Sequence, residues 1–173
     1  MTEPTPLPLP LSLALPLSRV RARVGALPDP ELPVLTLDDL GIVRAVERAA
    51  DGRLEVLITP TRLGCPALTV IESEILAVLE VSGHPGGRVR QVLRPAWSSD
   101  WISEEGRSRL VEHGIAPPGP ADAPPTLRLG TGVPCPHCGS SATRPQSPFG
   151  ATRCQSVLVC TACRETFAQL KAV

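Results

Sequence analysis

Two Cys-x-x-Cys pairs near the end of the sequence constrain its fold more than any other feature. The first pair is Cys135 and Cys138, and the second is Cys160 and Cys163, with 21 residues between the pairs. Zinc takes four soft ligands at the corners of a tetrahedron, and two such turns supply two thiolates each. Because so short a segment cannot bury a self-sufficient core, a bound metal would supply its folding free energy. The spacing therefore predicts a zinc ribbon over residues 135–173 that holds one structural zinc ion.

Two other arrangements of these four thiols remain open. An Fe–S cluster uses a similar ligand set, and two disulfides would form in an oxidising compartment. His137 lies inside the first pair, where we expect it to be exposed and not a ligand. If residues 154–160 form a strand, Cys154 lies about 20 Å from Cys160 at ~3.3 Å per residue, so one zinc ion cannot bind both. We interpret Cys154 as a buried free thiol that packs as a small hydrophobic residue.

The N-terminal segment alternates leucine and proline and is predicted to be a disordered arm over residues 1–18. Five prolines fall within the first 16 residues, and Glu3 precedes the apolar run where a signal peptide would carry a cation. The eleven-residue run from Leu7 to Leu17 is also too short to span a bilayer. We therefore expect a cytoplasmic protein without a membrane segment, whose thiols stay reduced.

The hydrophobic pattern between the arm and the ribbon predicts a small α+β domain over residues 19–115. A short helix around Val20 and Val24 is followed by two strands, at 42–48 and 54–59, and the second alternates as a half-buried strand does. The Asp51-Gly52 pair between the strands predicts a hairpin. A long amphipathic helix, a third strand and a helix capped by Ser103 follow. The predicted domain is therefore a three-stranded sheet with helices. Six prolines and three glycines mark residues 116–134 as a linker.

A lone cysteine, Cys65, lies between the second strand and the long helix. Pro66 suits the first helical position, which places Cys65 at the N-cap and facing unpaired backbone N–H groups. Such a position favours the thiolate, and Gly64 leaves the sulfur approachable, so Cys65 is a candidate functional thiol. The alternative is an inert buried cysteine. None of the three histidines is near Cys65 in sequence, so a cysteine hydrolase has no identified base.

Two acidic and two aromatic residues are weaker candidates for a functional role. Asp29 and Glu31 flank Pro30 and could ligate a metal or perform acid–base chemistry, although such residues more commonly cap a turn or helix. Trp97 and Trp101 either pack over the sheet or dock a partner.

Composition limits the function classes. The sequence has 17 Lys and Arg against 17 Asp and Glu, and only 2% aromatic residues. A general nucleic-acid coat needs excess cations, and a base-stacking platform needs aromatic side chains. The ribbon carries four cations against Glu165, which is a weak basic patch, so nucleic-acid binding is kept only as an alternative. The sequence contains no phosphate-binding Walker loop, no dinucleotide fingerprint and no carboxylate–histidine pattern of a di-iron site.

Several short motifs together resemble the SufT-like family of Fe–S assembly domains. They are residues 29–35, 39–43, 59–61 and 64–66. The segments 95–103 and 114–118 and the terminal ribbon narrow this resemblance to the PaaD family, also called PaaJ, across residues 19–171. Ser98 and Ser99 stand where threonine is more usual, and Leu32 replaces isoleucine. Neither departure affects a proposed ligand.

The resemblance implies an accessory or maturation factor, not an enzyme, encoded with the phenylacetyl-CoA epoxidase of aerobic phenylacetate catabolism. Its partners would be other epoxidase subunits, namely the Fe–S reductase or the di-iron component. The functional cysteine of the family falls on Cys65, as a transient ligand of iron or an Fe–S cluster. The supporting motif falls on Asp29, Glu31, Thr61 and Gly64. Cys154 also fits the ribbon pattern, as a further thiol.

Other functions stay open on the sequence alone. The chain could be a structural component that scaffolds the oxygenase, an independent thiol enzyme or a nucleic-acid-binding zinc ribbon. The sequence is also compatible with a homodimer.

Overall fold

The computed structural model describes residues 14–62, 64–120 and 132–172. A three-stranded sheet comes first and a four-stranded sheet follows, each with its own hydrophobic core. The first domain contains α1 (Leu17–Gly25), β1 (Val43–Arg48), β2 (Leu54–Ile58), α2 (Ala67–Val81), β3 (Arg88–Gln91) and α3 (Glu104–Glu112). The second sheet contains β4 (Ile115–Ala116), β5 (Thr143–Ser147), β6 (Gln155–Cys160) and β7 (Thr166–Leu170). The predicted α+β class, with a small helix-and-sheet domain followed by a ribbon, is confirmed.

The first sheet has the order β1-β2-β3 and is built on the predicted hairpin. β1 and β2 are antiparallel, and Gly52 in the turn between them has a φ of 79°. That left-handed conformation is open to glycine at little cost, which explains the Asp-Gly signal. β3 pairs with β2 in parallel, and α2 provides the crossover that a parallel pair requires.

β2 is more buried than the half-buried strand that its alternation predicts. Glu55 is 8% exposed, and Thr59, which directly follows β2, is only 1% exposed. The two carboxylate oxygens of Glu55 accept hydrogen bonds from Nε of Arg88 and Nε of Arg90, each at 2.8 Å. Because β3 lies beside β2 and supplies both arginines, the carboxylate is satisfied although little of it meets solvent.

Helices α1 and α2 cover the sheet with the apolar stripes that their spacing predicts. Val20 and Val24 of α1 are fully buried, and Ile75 and Leu79 of α2 are at most 1% exposed. Burial of four aliphatic side chains of this size stabilises the domain by about 1.5–3 kcal/mol each, which makes this packing the main support for the position of both helices.

Asp39 joins the loop before β1 to α3. Its Oδ2 accepts hydrogen bonds from N–H and Oγ1 of Thr36 at 2.9 and 2.8 Å and pairs with Arg109. Its Oδ1 accepts from Oγ of Ser103 at 3.1 Å. Ser103 also caps α3, as predicted, by accepting from N–H of Gly106 at 2.9 Å. Asp39 therefore has a structural role.

The ribbon sheet has the order β4-β7-β6-β5, and it takes its edge strand from the end of the first domain. Ile115–Ala116 pairs in parallel with β7, and Ala116 is fully buried in the ribbon core. Leu170 of β7 in turn belongs to the core of the first domain. The start of the predicted linker is thus part of the second sheet, and the two domains share contacts. The division of the chain into separate domains stays a prediction.

The predicted arm is shorter than residues 1–18. N–H of Leu15 donates to the carbonyl of Ser82 at 2.9 Å, Nε2 of His84 lies 2.8 Å from the carbonyl of Leu15, and α1 begins at Leu17. Residues 1–13 of the arm and residues 121–131 of the linker lie outside the described residues. Within the described parts of the chain, no helix is both long and apolar enough to cross a bilayer.

Candidate functional site

The four cysteines of the two Cys-x-x-Cys pairs converge, as the sequence predicts. Their sulfurs all lie within 4.8 Å of one another, and the pairs Cys135–Cys163 and Cys138–Cys160 are 3.7 and 3.6 Å apart. Sulfurs bound to one zinc at about 2.3 Å in a tetrahedron lie about 3.8 Å apart, so this donor set fits the ion.

Two tight backbone turns hold the sulfurs in this arrangement. After the first pair, N–H of Gly139 donates to the carbonyl of Cys135 at 2.8 Å, with a φ of 74° at the glycine. After the second pair, N–H of Arg164 donates to the carbonyl of Cys160 at 2.9 Å, and Arg164 has a φ of 68°. His137 is exposed and is not among the four converging ligands, as expected.

Cys65 lies where β2 leads into α2, in a cleft that residues of the ribbon also line. The cysteine is half-buried, and Pro66 already has helical dihedrals of φ −65° and ψ −26°. Gly64 has a φ of 72°, and no atom lies within 4 Å of the position that a Cβ would occupy. The glycine is therefore required by backbone conformation and not by crowding.

The charge state of Cys65 differs from the sequence expectation. Burial raises the pKa of the Cys65 thiol, and the carboxylates of Glu31 and Asp29 raise the pKa further. The N–H groups of Ala67 and Leu68 lower it, as expected at a helix start, but they do not outweigh the other effects. The helix start alone predicts a lowered pKa for Cys65, whereas burial, the largest effect, and the two carboxylates raise the pKa, and neither is visible in the sequence around Cys65.

Asp29 and Glu31 form the acidic side of this cleft. Asp29 is 7% exposed, and its Oδ1 accepts hydrogen bonds from N–H of Glu31 at 2.9 Å and N–H of Leu32 at 2.8 Å. Burial raises the pKa of Asp29 although these two N–H groups lower it. Asp29 thus caps its turn, the commoner role for such a residue, and its position also places a carboxyl group near Cys65. Glu31 is half-buried and lines the cleft.

Cys154 reaches the same cleft from the ribbon. It is half-buried, with its Sγ 2.8 Å from Oγ1 of Thr152 and 3.8 Å from Oε2 of Glu31. Burial raises the pKa of the Cys154 thiol, and Glu31 and Asp29 add to that effect. The residue packs against the core of the first domain, but its sulfur also meets a hydroxyl and a carboxylate, which the interpretation as a small hydrophobic residue did not include. Cys154 is not part of the four-cysteine cluster, as its predicted distance from Cys160 along a strand requires.

The cleft is lined by both domains and leaves about 550 Å³ of space outside the atoms, part of it open to solvent. The residues that line this space are Glu31, Thr61, Arg62, Gly64, Cys65, Pro66, Arg153 and Cys154. A second pocket shares five of these residues and adds Asp29 and apolar side chains that include Leu40, Ile42, Leu68, Ile71, Trp97 and Leu170, and we call the two pockets together the cleft.

The other candidate residues lie elsewhere or act in packing. Nε1–H of Trp97 donates to the carbonyl of Leu40 at 2.7 Å, and the guanidinium of Arg44 covers the Trp101 ring at 4.2 Å. Both tryptophans therefore pack, which is the first of the two predicted roles. No histidine lines the cleft among the described residues.

The sequence matches known families in two separate segments. The family described as "PaaD zinc beta ribbon domain" matches residues 120–171, and the family described as "Iron-sulfur cluster assembly protein" matches residues 17–93. A protein of Escherichia coli K12, named as a component of a putative 1,2-phenylacetyl-CoA epoxidase, is 38% identical over 156 residues, which cover 88% of this chain and 90% of that protein. This chain belongs to the PaaD family.

This PaaD-family chain also has relatives that match only about half of it. The "Fe-S protein maturation auxiliary factor" of Porphyromonas gingivalis is 37% identical over 83 residues, covering 47% of this chain and 78% of that protein. The crystal structure of a domain of unknown function, DUF59, from Bacillus anthracis is 28% identical with a TM-score of 0.49, covering 54% of this chain and 90% of that chain.

PaaD membership confirms the resemblance drawn from the short motifs. Of the residues that carried it, the structure brings Asp29, Glu31, Thr61 and Gly64 to the cleft of Cys65. Sequence reasoning missed that Cys154 belongs to this cleft, and the agreement of Cys154 with the PaaD ribbon pattern was the one available signal.

Proposed function

We propose that this chain is an accessory maturation factor of a phenylacetyl-CoA epoxidase system, and that Cys65 transiently binds iron or an Fe–S cluster for delivery to another component. The epoxidase link comes from the name of the E. coli relative, and the delivery role from the relative named as a maturation auxiliary factor. The proposed recipient is the Fe–S reductase or the di-iron component.

The observation that carries this proposal is the position of Cys65, half-buried in a cleft beside Asp29 and Glu31. Burial and, to a smaller extent, these carboxylates raise the pKa of the Cys65 thiol, which opposes nucleophilic catalysis at neutral pH. The same carboxylates attract a metal cation, and the cation can replace the proton on sulfur because a thiol must deprotonate to ligate. The cleft therefore suits reversible binding of iron better than covalent chemistry on a substrate.

We also propose that the ribbon cysteines hold one structural zinc ion. Their sulfur separations match tetrahedral ligation, and the ribbon core contains few large side chains besides Leu158 and Phe167. Elemental analysis of the purified chain should give one zinc per chain. Iron at the same stoichiometry, lost on Cys135→Ser, would contradict this assignment.

The test of the delivery role is epoxidation of phenylacetyl-CoA by cells that express all components with either the wild-type chain or Cys65→Ser. Epoxidation should fall at least tenfold in the variant, while zinc content stays unchanged. Thr69→Ser, an exposed change in α2 just after Cys65, is the matched control and should retain full activity. Full activity of Cys65→Ser, with the chain still copurifying with the complex, would favour a structural component that only scaffolds the oxygenase.

A further inference from the structure

The ribbon places a second thiol in the cleft of Cys65. Cys154 precedes β6, and the backbone around it is fixed by the ribbon sheet, because N–H of Lys171 donates to the carbonyl of Cys154 at 2.9 Å. Its sulfur lies 2.8 Å from Oγ1 of Thr152 and contacts Glu31 of the first domain. A side chain held from both domains is positioned more firmly than a loop residue that faces solvent alone.

Cys65 and Cys154 share one environment although they belong to different domains. Both line the same cleft, both are half-buried, and the same two carboxylates, those of Asp29 and Glu31, act on both sulfurs. Neither sulfur is part of the four-cysteine cluster, so both are available when the ribbon metal is bound.

We propose that Cys65 and Cys154 form one dithiol site, built from both domains, that holds an iron–sulfur cargo in the cleft. This inference rests on the proposed delivery role, and it assigns the ribbon a direct part in binding the cargo besides its structural part.

The geometry favours a cluster over a single ion as the cargo. Among the described residues, three or more potential ligand atoms come within 4.8 Å of one another only at the ribbon cysteines, so the donors of the cleft are spread more widely than around one ion. An iron–sulfur cluster contains at least two irons, each with its own protein ligands, and suits spread donors. Its sulfides and thiolates carry negative charge in addition to that of Asp29 and Glu31, and Arg62 and Arg153 at the cleft wall can offset part of this charge.

A probe of the dithiol itself needs no client protein. Phenylarsine oxide reacts with two nearby thiols to form one cyclic dithioarsinite and one water molecule, whereas its adduct with a single thiol is readily reversed. The zinc-loaded, reduced full-length chain should bind one equivalent of phenylarsine oxide without releasing zinc. Cys65→Ser and Cys154→Ser should each weaken this binding at least tenfold, and Ser156→Ala, two residues further along the ribbon, should not. Unchanged binding by Cys154→Ser would overturn the dithiol site.

A second experiment uses the proposed cargo. After anaerobic reconstitution with ferrous iron and sulfide, the wild-type chain should retain iron and visible absorbance beyond its one zinc. Cys154→Ser should retain less than a tenth of that iron, with zinc unchanged. If Cys154→Ser retains the cluster and supports full epoxidation while Cys65→Ser does not, the dithiol site is overturned and the one-thiol delivery role stands. If neither variant impairs epoxidation, the delivery role itself fails, and the dithiol inference falls with it.

Discussion

The sulfur of Cys154 lies 3.8 Å from a carboxylate oxygen of Glu31, although 123 residues separate them in the sequence. This contact brings a residue of the ribbon against the acidic turn of the first domain, directly beside the cleft of Cys65. The thiol donates to the carboxylate, so the protonated form of Cys154 is the one that this contact stabilises. Glu31 therefore links the protonation of both cleft thiols.

Replacing Glu31 with glutamine should make both cleft thiols more reactive. The negative charge of Glu31 raises the pKa of Cys65 and of Cys154, so its removal should lower both values. A lower pKa raises the thiolate fraction at any pH below it, and the thiolate is the form that is alkylated. The measurement is the rate of iodoacetamide alkylation at pH 8, resolved by residue with mass spectrometry of the zinc-loaded chain.

The matched control for that change is Glu80→Gln, an exposed position near the end of α2. It removes the same charge far from the cleft in sequence and should leave both rates unchanged. Equal alkylation rates in Glu31→Gln and the wild type would show that the carboxylate does not control these thiols.

Asp39 should stabilise the fold in a pH-dependent way. Burial raises the pKa of Asp39, but hydrogen bonds from Thr36 and Ser103 and the charge of Arg109 outweigh burial and lower the pKa overall. A carboxyl with a lowered folded pKa contributes stability above its unfolded pKa and loses it as the pH falls through the folded value. We expect Asp39→Asn to lose about 2 kcal/mol at pH 7 and less at pH 3.

Urea unfolding at both pH values measures this difference. Because wild type and variant carry the same ribbon, the loss of metal at low pH affects both and largely cancels in their difference. A deficit of the same size at pH 7 and pH 3 would contradict the assignment of the stabilisation to the ionised carboxylate.

The local parts of this fold could be predicted from sequence, whereas the contacts across domains could not. The turn at Gly52, the cap at Ser103 and the spacing of the ribbon cysteines each depend on residues that are close in the chain. The pKa of Cys65 depends first on its burial and then on Asp29 and Glu31, and both effects come from residues that are distant in sequence. The hydrophobic pattern does not encode which loops meet, so the helix-end argument gave the wrong sign.

The same limit explains Cys154. Its spacing from Cys160 correctly separated it from the four-cysteine cluster, because strand geometry fixes distances along one segment. Its approach to Glu31 depends on how the ribbon packs on the first domain, where Leu170 enters the larger core. The hydrophobic periodicity of neither segment predicts that packing.

Gly64→Ala should reduce the iron that the cleft retains, although the added methyl group causes no steric clash. Gly64 has a φ of 72°, which costs a residue with a Cβ about 1 kcal/mol, while the space around that position is empty. The backbone should relieve this strain by shifting Cys65, so iron retention after reconstitution should fall severalfold while zinc content stays at one per chain. Gly64→Asn is the control, because asparagine tolerates this conformation better than alanine. Equal losses in the two variants would show that the side chain, and not the backbone, is responsible.

Removing the ribbon metal should also prevent the cleft from binding phenylarsine oxide. Cys135→Ser deletes one of the four converging thiols, and the ribbon core is too small to persist without a metal. The first domain has its own larger core, so the helices should survive, which circular dichroism would detect as retained helical signal.

Cys154 depends on the ribbon sheet for its position, since the carbonyl of Cys154 accepts from N–H of Lys171 next to β7. The variant should therefore bind phenylarsine oxide at least tenfold more weakly, although both cleft thiols remain in the chain. As a control, refolding the wild-type chain with zinc should restore the binding, which would show that the loss follows the metal. Retention of binding in a zinc-free, helix-containing chain would mean that Cys154 is positioned by the first domain alone.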